Sequence, residues 1–111
     1  MIDAARLATL MAMIEDEIAA LESLSAVTRD SRAPVALDQQ SVERLSRIDA
    51  MQQQSMELAT ESRRRKRLSM LVAAQHRIDT GDYGHCLACD GEIAFKRLEI
   101  DPAATRCIAC A

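Results

Sequence analysis

The sequence predicts an all-α protein: a long antiparallel helical hairpin, or coiled coil, with a small cysteine-bearing module at its C-terminal end. Three observations carry this. The chain is 49% apolar but only 2% aromatic, and its apolar residues are mainly Ala, Leu, Ile and Met. That composition suits helix–helix seams better than a β-sandwich. Three Gly and two Pro leave few turns, so the elements must be long. All four cysteines lie in two Cys-x-x-Cys pairs, Cys86/Cys89 and Cys107/Cys110.

The first helix is expected over residues 3–28. Leu7, Leu10, Ile14, Ile18, Leu21 and Leu24 recur at spacings of three or four, the period of one helical face. Asp3 can cap the start. Glu15, Asp16, Glu17 and Glu22 lie largely off the stripe and read as a solvated face. Residues 29–37 are expected to form a tip loop, because Asp30, Ser31 and Pro34 are turn formers and Pro34 disfavours helix at Ala33.

A second helix is expected over residues 38–80, started by Asp38 as N-cap and unbroken until Gly81. Roughly 42 residues give about 63 Å of helix. A helix of that length needs a partner, and a short connection makes the first helix its antiparallel neighbour. Val42, Leu45, Ile48, Met56 and Ala59 are the expected inward positions, with Gln52, Gln53, Gln54 and Ser55 weakening the seam between them. A turn centred near Pro34 makes helix one run out opposite residue 65. Leu71, Val72 and Ile78 would then overhang and be covered by Ile93, Phe95 and Leu98 of the terminal module. Met11, Met51, Met56 and Met70 read as gap-fillers.

The basic run Arg63-Arg64-Arg65-Lys66-Arg67 spans more than one helical turn, so it cannot all face one side. One reading is a solubilising face partly paired with Asp3 and Glu61. The other is a contact surface for an acidic partner.

Residues 81–111 form the terminal module. Two residues between cysteines let both sulfurs of a pair turn toward one ion, and the intervening seventeen residues carry the second pair to its other side. Cys86, Cys89, Cys107 and Cys110 are therefore the expected ligands of one structural Zn²⁺. Nothing suggests the secretion that disulfides would need, and a thioredoxin-like motif needs a strand–helix setting absent before Cys86. Four thiolates close the shell that a catalytic zinc leaves open. His85 and His76 read as surface residues. Asp90-Gly91 marks a tight turn, and residues 92–98 fit a short helix or a strand equally well.

Net charge is −3, which gives no bulk argument for nucleic-acid binding. No signal peptide or membrane-length apolar run is evident, so a cytoplasmic location is expected. There is no phosphate loop, nucleophile–base pair or open metal site, and no enzymatic activity is expected. The alternatives from other classes are a small zinc-ribbon nucleic-acid-binding protein using residues 63–67, a thiol oxidoreductase, and a structural adaptor.

The string Gly-Asp-Tyr-Gly-x-Cys-x-x-Cys at 81–89, then Glu92-Ile93, Lys96-Arg97-Leu98, Pro102, Ala104 and the Cys107/Cys110 pair, is similar to the DksA/TraR family of zinc-finger transcription regulators. The resemblance implies a protein that binds RNA polymerase directly, without sequence-specific DNA binding. It implies a hairpin inserted into the polymerase secondary channel, its tip near the active centre, altering open-complex stability. A monomer and a link to the stringent response are also implied. The family's tip motif Asp-x-x-Asp-x-Ala is missing here. Asp38 is the geometric candidate for the tip acid, with N-capping as its other role, and Asp49-Ala50 matches half of the motif. Arg63 aligns with a basic position that contacts the polymerase rim in well-known members. The chain ends one residue past Cys110, where larger members carry a further helix. Some members help bind guanosine tetraphosphate through basic residues. Met70 and Asp101 stand at such positions here and only Arg97 remains, so that nucleotide site is not expected.

Overall fold

The computed structural model describes residues 2–32 and 44–111. Among the described residues four helices follow one another: α1 (Ala4–Val27), α2 (Arg29–Arg32), α3 (Arg44–Thr80) and α4 (Phe95–Ile100). The molecule is elongated, with principal extents of 64 × 26 × 21 Å.

Asp3 caps α1 as expected, its Oδ1 accepting from the Arg6 N–H at 2.8 Å. The helix ends where the Thr28 N–H and hydroxyl both donate to the Leu24 carbonyl, at 3.0 and 2.8 Å. The next turn, α2, is helical inside the stretch expected to be loop. Arg32 explains this. Its guanidinium reaches back to the Ser25 carbonyl at 2.9 Å and to the Thr28 hydroxyl at 2.6 Å, tying the turn to the end of α1. Pro34 and Asp38 lie outside the described residues.

α3 has 37 residues, about 56 Å of helix. It ends in a Schellman motif, with Gly81 at φ +81°, Asp82 N–H donating to the Arg77 carbonyl at 2.8 Å, and Gly81 N–H to Ile78 at 3.2 Å.

A series of non-exposed residues on α3 runs by three and four, Gln54, Glu57, Glu61, Arg64, Leu68, Leu71, Gln75 and Ile78, with Ala74 buried beside it. This is the heptad of a coiled coil. Near the terminal module the seam is apolar, Leu10 and Ile14 meeting Leu71 and Ala74 in one core. Farther away it is polar: Ser25 and Arg32 meet Glu61, Gln54 donates to the Arg32 carbonyl at 3.5 Å, and Thr28, Glu57 and Arg64 are half-buried alongside.

That polar seam alters the expected pairing. Ile48, Met56 and Ala59 are exposed. Each sits at least one residue, roughly 100°, away from the phase that Glu61, Leu68 and Leu71 impose. Gln54 alone of the Gln52–Ser55 group turns inward. Val42 and the Leu45 side chain lie outside what is described. On α1, Leu24 is exposed and Ser25 takes the inward place, while Glu17 is half-buried rather than solvated. Met11, Met51, Met56 and Met70 are all exposed, so none fills a gap; Met13 is the methionine that packs against the core.

The register also differs. Ser25 pairs with Glu61 and Glu17 with Arg67, which centres the pairing near residue 43 and not near Pro34. α1 therefore reaches the far end of α3. Ile2 lies so close to Gly84 that a Cβ there would sit 2.9 Å from its Cδ1. Nothing overhangs. Leu71 is fully buried, covered both by α1 and by the module, whereas Val72 points away and is 53% exposed.

Candidate metal centre

The module begins at the Schellman turn and folds back at once. His85 and Glu92 form an antiparallel bridge, flanked by Ile93 N–H donating to Gly84 O at 2.8 Å and Cys86 N–H to Gly91 O at 2.7 Å. The first Cys-x-x-Cys sits in the loop of this small hairpin. Asp90 closes it in the left-handed region, φ +60°, donating to the Cys86 carbonyl at 2.8 Å. Residues 92–98 thus divide, Glu92 in a bridge and Phe95 onward in α4. Leu87 N–H donates to Thr105 O at 2.8 Å and brings the second pair alongside the first.

Four sulfurs converge. The Sγ atoms of Cys86, Cys89, Cys107 and Cys110 all lie within 4.8 Å of one another, and Cys89 Sγ is 3.7 Å from Cys107 Sγ. A tetrahedral Zn²⁺ with Zn–S of about 2.3 Å needs sulfur–sulfur separations of about 3.8 Å, so the donor set fits one ion. The electrostatics agree. Backbone N–H groups of Cys107, Cys89 and Ala88 favour the Cys86 thiolate over its desolvation and lower it to about 6, while the surrounding Cys107, Cys89 and Cys86 sulfurs push Cys110 up to about 12. Four thiolates cannot all ionise side by side without a cation; a bound Zn²⁺ supplies that charge. No position remains for water or substrate, so the ion's chemistry is structural.

One contact braces this module internally and another joins it to the hairpin. Tyr83, buried, donates its hydroxyl to the Pro102 carbonyl at 2.6 Å. Arg6, in the first turn of α1, lies 4.8 Å over the Phe95 ring. Ile93 and Leu98 complete the core shared with Leu10, Ile14 and Leu71.

The basic run is divided by the seam. Arg64 turns inward to Glu61, which is only 5% exposed and also accepts from Ser25 at 2.8 Å, Arg65 at 3.4 Å and, as an ion pair, Arg32 at 3.2 Å. Arg67 is half-buried between Glu17 and Asp101, and the Glu17 hydrogen bonds outweigh desolvation to hold it charged. Arg63 and Lys66 face solvent with Arg65. Glu61 is therefore a partner of the run as expected, but Asp3 is not, being occupied with Arg6. Sequence reasoning missed Glu17 and Asp101 as tertiary residues, and the burial of Glu61; for the last, the three–four spacing of Glu57, Glu61, Arg64 and Leu68 was the available signal.

Of the other expected contact residues, Asp49 and Ala50 are exposed on α3. Arg97 is half-buried, its Nε donating to the Arg106 carbonyl at 2.8 Å. These three and Arg63 are not brought together at one site, and Asp38 lies outside the described residues.

A helical hairpin closed by a four-cysteine zinc finger is the class of protein that this fold and site define. Residues 81–111 match the family model of the prokaryotic dksA/traR C4-type zinc finger. Over 56 residues the chain is 41% identical to the RNA polymerase-binding transcription factor DksA of Haemophilus influenzae, a match covering 50% of this chain and 39% of that protein. The protein of the same name from Escherichia coli is 36% identical over 56 residues, covering 50% and 37%. The chain thus matches well under half the length of these curated relatives. The solved structure of transcription factor DksA2 from Pseudomonas aeruginosa superposes with a TM-score of 0.75 at 26% identity, covering 96% of this chain and 81% of that one. Its terminal module is thus similar to the dksA/traR C4-type zinc finger, and the chain as a whole is similar in structure to DksA2. Among the described residues, no helix is long and apolar enough to cross a membrane.

Proposed function

We propose that this chain is a transcription regulator that binds RNA polymerase directly, inserting its helical hairpin into the secondary channel and altering open-complex stability. The observation that carries this is the likeness to DksA2, which extends through the hairpin over 96% of the chain and is not confined to the zinc finger. The relatives' names supply the partner, and the elongated shape supplies a probe. The zinc finger has a supporting role: it closes the core at one end and leaves the other end of the hairpin to act. The chain works as a cytoplasmic monomer and reads no DNA sequence.

The partner contacts fall in two groups. Asp38, Asp49 and Ala50 are the apical candidates, and the register centred near residue 43 brings Asp49-Ala50 closer to the apex than a turn at Pro34 would. Arg63 and Arg97 are the candidates at the rim. No guanosine tetraphosphate site is proposed. Met70 offers no charge, and Asp101 is acidic and occupied by Arg67. A nucleic-acid-binding role for the basic run is the weaker reading, because Arg64 and Arg67 are spent inside the molecule.

Transcription from a ribosomal RNA promoter with purified polymerase tests the proposal, using wild type, Asp38→Asn and Asp49→Asn. The wild type should shift open-complex lifetime, and loss of that effect in one variant with polymerase binding retained identifies the apical acid. Absence of both polymerase binding and a transcriptional effect in the zinc-loaded wild type overturns the reading.

A further inference from the structure

Apolar burial holds the zinc finger to the hairpin, but it is non-directional. Leu71, Leu98, Ile93 and Leu10 share one core, which covers area without a hydrogen bond to set direction. Orientation needs a contact with geometry. Arg67 offers one. Its planar guanidinium lies between two carboxylates that belong to different parts of the molecule. Nη2 donates to Glu17 Oε1 of α1 at 3.1 Å, Nε donates to Glu17 Oε2, and Nη1 donates to Asp101 Oδ1 at 2.9 Å. Asp101 is itself fixed. It ends α4 through its N–H to the Arg97 carbonyl at 2.9 Å, and its Oδ1 also accepts from Ala103 N–H at 3.1 Å. One side chain of α3 thus reads α1 and the zinc finger at once.

We propose that Arg67 is the positioning residue that fixes the orientation of the zinc finger relative to the hairpin. The guanidinium suits this because its donors form a rigid fork, so two carboxylates bound at its different edges are held at a set angle. The inference concerns the chain alone and stands whether or not polymerase is the partner. It also gives the basic run a second division of labour: Arg64 serves the hairpin seam and Arg67 the junction.

Residual dipolar couplings of the zinc-loaded, full chain report the relative orientation directly. In the wild type, amides of α3 and of residues 82–110 should fit one alignment tensor. Arg67→Gln and Asp101→Asn should each lose the common fit while keeping one bound zinc, and Asp101→Asn retains an oxygen for Ala103. Arg67→Lys, which keeps the charge but lacks the fork, should recover charge-dependent proximity without the single tensor. A common tensor persisting in both Arg67→Gln and Asp101→Asn overturns the proposal. So does full recovery of the wild-type orientation by Arg67→Lys, which would make charge alone sufficient.

Discussion

The Ser25 hydroxyl donates to Glu61 Oε1 at 2.8 Å across 36 residues of sequence, and the carboxylate it meets is the hub of the hairpin's polar seam. Burial raises the energy of the charged form, but the hydrogen bonds from Ser25 and Arg64, the field of Arg32 and the Arg65 contact prevail and hold Glu61 below its ordinary value. A carboxyl depressed in the folded state contributes stability above its unfolded pKa, and loses that contribution as pH falls through the folded one. Glu61→Gln should therefore melt lower than wild type at neutral pH, and the gap should close on acidification below the ordinary carboxylate range. Thermal melts of both proteins over that range check this; a gap that is independent of pH would contradict it.

Tyr83 is the chain's one tyrosine and there is no tryptophan, so it reports on the zinc finger without interference. Burial, opposed by Arg77 and aided by Asp101, pushes its phenol from 10.0 up to about 12. The neutral form is favoured by folding, so the zinc finger should lose stability as pH rises from 10 toward 12. Removing the metal should return the phenol's titration to about 10, as read from tyrosinate absorbance. Far-UV circular dichroism should show that part of the hairpin helix survives the same treatment. A phenol still titrating near 12 after confirmed metal loss would show that the module does not depend on its zinc.

Gly84→Ala should destabilise by about 1–3 kcal/mol through backbone strain, since Gly84 sits at φ +89°. The Cβ would also meet Ile2 Cδ1 at 2.9 Å, but that atom is the end of a flexible side chain and can yield. Combining Ile2→Ala with Gly84→Ala should therefore leave most of the cost in place, compared with Ile2→Ala alone. Denaturant titration of the four proteins measures it, and near-complete relief in the double variant would place the cost in the contact instead.

Leu71→Ala and Val72→Ala compare neighbouring residues of similar character. Leu71 is fully buried between α1 and the zinc finger, so its truncation should cost about 2–5 kcal/mol. Val72 faces solvent, and its truncation should stay within about 0.5 kcal/mol. Equal losses would mean that the helical phase is wrong.

What could be read before any coordinates were known followed the physics that each signal reports. The cysteine pairs needed no tertiary context, because two residues between thiolates already fit one ion. The apolar positions Leu7, Leu10 and Ile14 declared themselves by period, and Leu71 and Leu98 as apolar residues that needed each other as cover. The polar half of the seam did not. Glu61 and Arg64 sit at the same three–four spacing as Leu68 and Leu71, but charge in a seam is indistinguishable from a solvated face until its partners are placed. Ser25, Arg32, Glu17 and Asp101 are those partners, and all are remote in sequence. Missing them displaced the register toward Pro34 and created an overhang that the molecule lacks. The exposed Met56 and Val72 followed from the same error of phase.

The division of the seam has a mechanical consequence. Where Leu10, Ile14 and Leu71 meet under the zinc finger, separating the helices of the hairpin would expose buried hydrocarbon. Around Gln54 and Glu57 it would mainly exchange polar contacts for water. Local stability falls in the same direction. Among the described residues the hairpin is thus a cantilever, held by hydrocarbon at its root and by polar contacts farther out. Thermal bending would collect in the outer span while the mounting stays true, so a surface that engages the root could aim the free end without having to stiffen it.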